Sequence, residues 1–100
     1  MKETPTGIRL DKWLFHARFY RTRILAQTAA AAGKVRLNGT RAQKPSQMVR
    51  PGDVLTLGRG GEILAIRVLG LADRRGPATS AQALYEIVAE ETLDKPGLSP

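Results

Sequence analysis

At Gly33 the hydrophobic period of this chain changes from helical to alternating, so helices and a sheet have to share one fold. Before it, Leu10, Trp13, Leu14 and Ala17 fall at helical spacing and predict a first helix over 10–19 with one apolar stripe turned to the core. Asp11 sits in the first turn of that helix, where a carboxylate favours the positive end of the dipole, a structural role. The pattern breaks at Tyr20-Arg21. Thr22 has the residue type of an N-cap for a second helix, 23–32, and Gly33 tolerates the left-handed backbone that ends it. The alanine run at 29–32 lets another element approach closely.

After Gly33, Val35 and Leu37 share one face and Lys34 and Arg36 the other, and Asn38-Gly39 reads as a two-residue hairpin turn. In that register Leu37 opposes Thr40 and Arg36 opposes Arg41. Like charges directly opposed in a sheet cost roughly 0.2–1 kcal/mol, a local conflict that an anionic ligand would turn into attraction. The other reading is that both side chains splay into water. Lys44-Pro45-Ser46 is a loop, and Pro51-Gly52-Asp53 turns into a strand at 54–57. Gly58-Arg59-Gly60-Gly61 lacks the Lys-Ser/Thr ending of a phosphate-cradling loop and precedes an apolar strand at 63–71, so it reads as a hairpin connection. A basic loop, Asp73 to Pro77, follows. Thr79 and Gln82 fit a capping box, which predicts a third helix over 80–91 with Leu84, Ile87 and Val88 inward.

One hundred residues suit a single core, here expected over 9–91 between loose ends at 1–8 and 92–100. The absence of cysteine excludes a disulfide framework and cysteine-ligated zinc, and no apolar run follows Met1, so neither a signal peptide nor a membrane anchor is expected and the cytoplasm fits. The net charge of +7 is uneven: residues 9–50 hold ten Lys and Arg against the single acid Asp11, whereas 77–100 hold one Lys against four acids. That basic half is the candidate surface for a nucleic acid.

Catalytic parts are scarce. His16 is the only histidine, on the polar side of the first helix, and a catalytic dyad would have to recruit a carboxylate from the distant C-terminal region; it is expected to be solvated or in contact with RNA. Glu86, Glu90, Glu91 and Asp94 have no histidine among them and read as a solvated face. No enzyme activity, metal, cofactor or small-molecule substrate is expected. Phe15 and Phe19, one turn apart, either stack on unpaired bases or form a second core face, and the second reading is preferred.

Taken in order, Arg9-Leu10-Asp11-Lys12-Trp13-Leu14, Thr22-Arg23, Gly33-Lys34-Val35, Asn38-Gly39, Pro45-Ser46 and Gly52-Asp53 resemble an S4-type RNA-binding domain over residues 9–57. Ala17-Arg18-Phe19-Tyr20, Arg74-Arg75-Gly76-Pro77-Ala78 and Leu84-Tyr85-Glu86 extend the resemblance to the heat-shock protein 15 family of bacterial ribosome-associated proteins. The resemblance implies an α+β fold of the αL type, with two N-terminal helices against a small, mainly antiparallel sheet and a C-terminal helix. It implies a stress-response protein that binds ribosomal RNA on free large (50S) subunits carrying a nascent chain and transfer RNA. A monomer is the expectation for the chain itself. It places Arg9, Lys12, Arg21, Thr22 and Arg23 on the helical side of the RNA surface and Lys34, Arg36, Asn38, Arg41 and Lys44 on the hairpin side, with Arg18 and Ser46 completing the set. Arg23 and Arg36 are both expected on the outer face. The rival readings are a DNA-binding helix-turn-helix, from the two helices joined at Tyr20-Arg21, and a stand-alone accessory module of an RNA-modifying enzyme. The family's members often end in a lysine-rich tail, where this chain has Glu90 to Lys95 and a Pro/Gly stretch.

Overall fold

The predicted apolar stripe builds the first helix, and a left-handed residue ends it early. A computed structural model describes residues 7–42, 44–59 and 61–92, so residues 1–6 and 93–100 of the expected loose ends at 1–8 and 92–100 lie outside the described residues. Gly7 is buried and Ile8 is already paired, ahead of the boundary expected at residue 9. Helix α1 (Leu10–His16) follows the strand β1 (Ile8–Arg9), and Leu10, Trp13, Leu14 and Ala17 are all buried. The helix stops three residues short of the expected end. Arg18 takes φ 67°, and the amides of Phe19 and Arg18 donate back to the carbonyls of Leu14 and Phe15, which is a Schellman ending with arginine in the place glycine usually holds. The left-handed backbone costs an arginine about 1–2 kcal/mol. In return it carries Phe19 off the solvent side and onto Trp13, with ring centroids 6.1 Å apart. The reading of Phe19 as a core residue is therefore correct.

Helix α2 (Arg23–Ala31) has the cap expected of it, since Thr22 Oγ1 accepts a hydrogen bond from the amide of Leu25 at 3.1 Å. Its end repeats the motif of α1, with Lys34 N donating to Ala29 O and Gly33, at φ 77°, donating to Ala30 O. Ala26, Ala29 and Ala30 are buried, and their small side chains let α2 sit close to α1.

Strands β2 (Val35–Leu37) and β3 (Thr40–Arg41) form the predicted hairpin. Asn38 and Gly39 both have positive φ, 53° and 86°, as a type I′ turn requires, and the register places Arg36 opposite Arg41. Strand β4 (Met48–Val49) pairs with β1. Strands β5 (Val54–Arg59) and β6 (Glu62–Val68) are joined at the glycine turn, so residues 69–71 of the expected strand fall beyond it.

The C-terminal region departs most from expectation. A C-terminal helix is present, but α3 (Ala78–Gln82) is one short turn whose N-cap is Pro77, and the segment expected to continue it is the strand β7 (Tyr85–Thr92). The sheet order is β3-β2-β5-β6-β7, antiparallel throughout. Ala65 pairs with Ala89 and Ile66 with Ile87, so Val88 is an extra residue, a bulge. The bulge hides the alternation: Leu84, Ile87 and Val88 show helical spacing, yet Ile87 and Val88 are 47% and 42% exposed and not inward. Tyr85 closes the core by packing on Phe19 at 4.7 Å and edge-on to Trp13 at 6.4 Å.

Candidate nucleic-acid interface

Several of the sequence-predicted cations fall in two places, whereas Arg21, on the link between the helices, is simply exposed. The first is the start of α1. Here the amides of Leu10 and Asp11 donate to the carbonyls of Gln47 and Pro45, at 2.8 and 3.1 Å, which fastens the 44–47 loop, with Lys44 and Ser46 in it, to the start of the helix that carries Lys12. Arg23, at the first turn of α2, reaches the same place through Asp11. The Arg9 guanidinium grips Asp11 at two points, Nε to Oδ1 at 3.0 Å and Nη2 to Oδ2 at 2.9 Å, while Arg23 Nη2 lies 3.6 Å from Oδ1. Asp11 is 0% exposed, whereas the side chains of Arg9 and Arg23 keep 41% and 40% of their surface. Burial alone would raise the Asp11 carboxyl. The hydrogen bond from Arg9, the charges of Arg23 and Arg9 and the side chain of Gln27 outweigh it, so the group titrates below the usual carboxylate range. Arg9 is correspondingly raised by its bond to Asp11.

The second place is the hairpin, with Lys34, Arg36 and Arg41 exposed. Arg41 bends back over the end of α2: a Cβ at Gly33 would stand 2.7 Å from Arg41 Cδ. Arg36 Nη1 makes one long contact, 3.5 Å, to the carbonyl of Gly39. Among the described residues no salt bridge involves Lys12, Arg21, Lys34, Arg36, Arg41 or Lys44. These charges are therefore available to an anion.

Three of the predicted site residues have internal work. Thr22 caps α2. The Asn38 amide donates to Asp53 Oδ1 at 3.1 Å and its oxygen accepts from the amide of Val54 at 2.9 Å, which ties the hairpin turn to β5. Arg18 lies at the far end of α1 from Arg9, where its Nε donates to Gly76 O at 2.9 Å. Arg23, expected to be free on the outer face, is half-buried and ion-paired.

Sequence reasoning assigned Asp11 to the helix dipole and missed its grip on two arginines; the signal was its isolation as the one acid among ten cations. It also missed Arg75, which stacks over Phe15 at 4.7 Å and donates to the carbonyls of Phe15 and Tyr20, closing the 72–77 loop over the link between the helices. Phe15 is thus covered by a guanidinium. His16 corrects another expectation, since it is buried and not solvated. Its Nδ1 lies 3.0 Å from the carbonyl of Ala72, which only accepts, so Nδ1 carries the proton. Burial lowers its pKa, the Ala72 carbonyl and Asp73 oppose this, and the charges of Lys12 and Arg23 add to it, for a net lowering.

A stability effect follows. The unfolded imidazole takes its proton near pH 6.5 and the folded one only at lower pH, so in that window the unfolded chain binds a proton that the fold refuses. Stability from this group is full above about pH 6.5 and falls as the pH drops through the window. Asp11, whose folded pKa is lowered, acts only below the ordinary carboxylate value of 3.8 and does not overlap. The thermal midpoint should decline between pH 7 and pH 5 in the wild type. In His16→Gln the decline over that interval should be shallower, and an unchanged slope would contradict the assignment.

The sequence model of the S4 domain family matches residues 8–55. The chain is 46% identical over 91 residues to heat shock protein 15 of Escherichia coli K12, covering 90% of this chain and 68% of that one. It is 37% identical over 86 residues to the RQC P-site tRNA stabilizing factor of Bacillus subtilis, covering 86% of this chain and 98% of that one. A trimeric structure of heat shock protein 15 from Vibrio cholerae superposes with a TM-score of 0.79 at 46% identity, over 83% of each chain. The S4 match falls on α1, α2 and the hairpin that carry the cations, and the longer matches take in the sheet behind them, so the chain belongs to the heat shock protein 15 family of S4-domain proteins.

Proposed function

We propose that this protein binds structured ribosomal RNA on free large ribosomal subunits that carry a nascent chain and transfer RNA, in the rescue of stalled translation. The observation that carries the reading is the charge of residues 9–50, in which ten cations all reach the surface around a single acid that is itself buried. A relative with 98% of its length matched is named for stabilizing P-site tRNA, which supports the same reading. Arg9, Lys12, Arg21, Arg23, Lys44 and Ser46 would hold phosphates beside α1, and Lys34, Arg36 and Arg41 would hold them along the hairpin. Thr22, Asn38 and Arg18 support that surface through their internal bonds and offer the RNA their remaining donors. Such a surface reads the shape of a folded RNA more than its bases.

Binding is the whole function in this reading, and no catalytic step, cofactor or membrane enters it; the place of action is the cytoplasm. A monomer suffices, because all the cations proposed to act belong to one chain. The test is sedimentation with purified large subunits through sucrose gradients at graded salt. The protein should travel with the free subunits, and with about five phosphates neutralised log K should fall against log salt with a slope near −3.5. A protein that stays at the top of the gradient, or an association indifferent to salt, would refute the proposal.

A further inference from the structure

Asp11 is out of place by charge alone. It is the one carboxylate in a stretch that otherwise repels acids, and burying a carboxylate has a desolvation penalty that its ion pairs only offset. We infer that Asp11 is a positioning residue for RNA binding: from beneath the surface it holds the guanidinium groups of Arg9 and Arg23 at one spacing, facing phosphate. The inference rests on the RNA-binding reading of this surface.

Its geometry suits that task. Arg9 comes from β1 and Arg23 from α2, two separate elements. Asp11 stands between them in α1 and touches both. Arg9 spends Nε and one hydrogen of Nη2 on the carboxylate, which leaves three N–H donors that these bonds do not use on a side chain 41% exposed. Arg23 is held less tightly, at 3.6 Å, and its buried Nε has no hydrogen-bond partner, so it is oriented by charge and not saturated by bonds. The carboxylate also offsets the mutual repulsion of two guanidinium groups brought together. Since Asp11 itself has no exposed surface, an approaching RNA meets only the two arginine rims. Rotamer freedom that flexible arginines would lose on binding is already lost in the free protein.

Charge counting and positioning predict opposite signs for one substitution. Asp11→Asn removes a negative charge and raises the net charge by one unit, so if charge alone governs binding, affinity for RNA should rise. If Asp11 positions the arginines, affinity for purified free large subunits should fall about tenfold at fixed salt, because freed arginine rotamers must be immobilised again. A variant that binds as well as the wild type, or better, overturns the inference. To separate positioning from a role in folding, the measurement is repeated in an Arg9→Ala/Arg23→Ala background. There Asp11→Asn should produce no further loss, and a further loss of the same size would mark a purely structural role. Should Asp11→Asn fail to fold, Arg9→Lys decides: it keeps the charge and gives up the two-point bond, and binding equal to wild type counts against positioning. The two levels separate cleanly. If Arg9→Ala/Arg23→Ala binds subunits normally, both the assignment of these arginines to RNA and the inference fall; if it loses binding while Asp11→Asn does not, only the inference falls.

Discussion

Trp13→Ala should destabilise the domain by about 3–5 kcal/mol, the range for emptying a large aromatic site, against the roughly 5–15 kcal/mol that holds a domain of this kind together. Trp13 is fully buried and joins the two halves of the fold. On one side it stacks on Phe19, which the left-handed turn at Arg18 delivers, and on the other it meets Tyr85 at the start of β7. Its indole Nε1 donates to the carbonyl of Gly70 at 2.9 Å, so the alanine variant gives up the ring packing and leaves that carbonyl without this donor. With about 4–8 °C of midpoint per kcal/mol at this chain length, thermal unfolding should move down by more than about 12 °C. Trp13→Phe keeps a ring against Phe19 but not the bond to Gly70, and should cost less, about 1–3 kcal/mol. A Trp13→Ala protein that unfolds within about 1 kcal/mol of the wild type would mean that the aromatic cluster is not the joint between helices and sheet.

The elements that could be read from the sequence are those whose signals are local. Thr22 and Gly33 bracket α2 because a cap and a left-handed residue act within one turn of the helix they bound. Asn38-Gly39 fixes the hairpin register, and with it the Arg36–Arg41 pairing, because a type I′ turn admits few other residues. What could not be read depends on partners distant in the chain. The burial of His16 needs the Ala72 carbonyl, 56 residues on, and the cover over Phe15 needs Arg75. The strand β7 was obscured by the bulge at Val88, which puts two β-branched residues side by side and breaks a period of two into one that passes for helical. Arg18 ends α1 in a conformation its residue type disfavours, so no local signal marked that end. Among the candidate site residues the same division holds. The sequence placed the cations in one half of the chain, but which of them are tied to an internal acid depended on how α2 packs on α1. For that reason Arg23→Glu, attractive from sequence, is a poor probe: it would set a second carboxylate against buried Asp11 and confuse folding with binding.

The hairpin offers a cleaner test. Arg36→Glu/Arg41→Glu should weaken binding to free large subunits by at least about a hundredfold at fixed salt, since charge-assisted hydrogen bonds contribute about 1.5–3 kcal/mol each and two are removed. The salt slope should become shallower by about 1.4, two phosphates' worth. Folding should hardly notice, within about 1 kcal/mol, for a reason specific to this site. Arg36 and Arg41 are opposed across β2 and β3, so reversing both exchanges one like-charge pair for another and leaves the repulsion in the sheet as it was. The turn that sets their register is held by the bonds of Asn38 to Asp53 and Val54, which the substitutions do not touch. Within the fold the substitutions give up the long contact of Arg36 to the carbonyl of Gly39 and weaken the packing of the Arg41 stem over Gly33, because a glutamate has no donor and reaches less far. Arg36→Lys/Arg41→Lys, with charge retained, should keep most of the affinity if these residues act as point charges toward phosphate, and should lose it if the forked guanidinium geometry is needed. Unchanged affinity in the glutamate pair would show that the cost of opposing two arginines in this hairpin is not repaid by RNA, and would confine the interface to the start of α1.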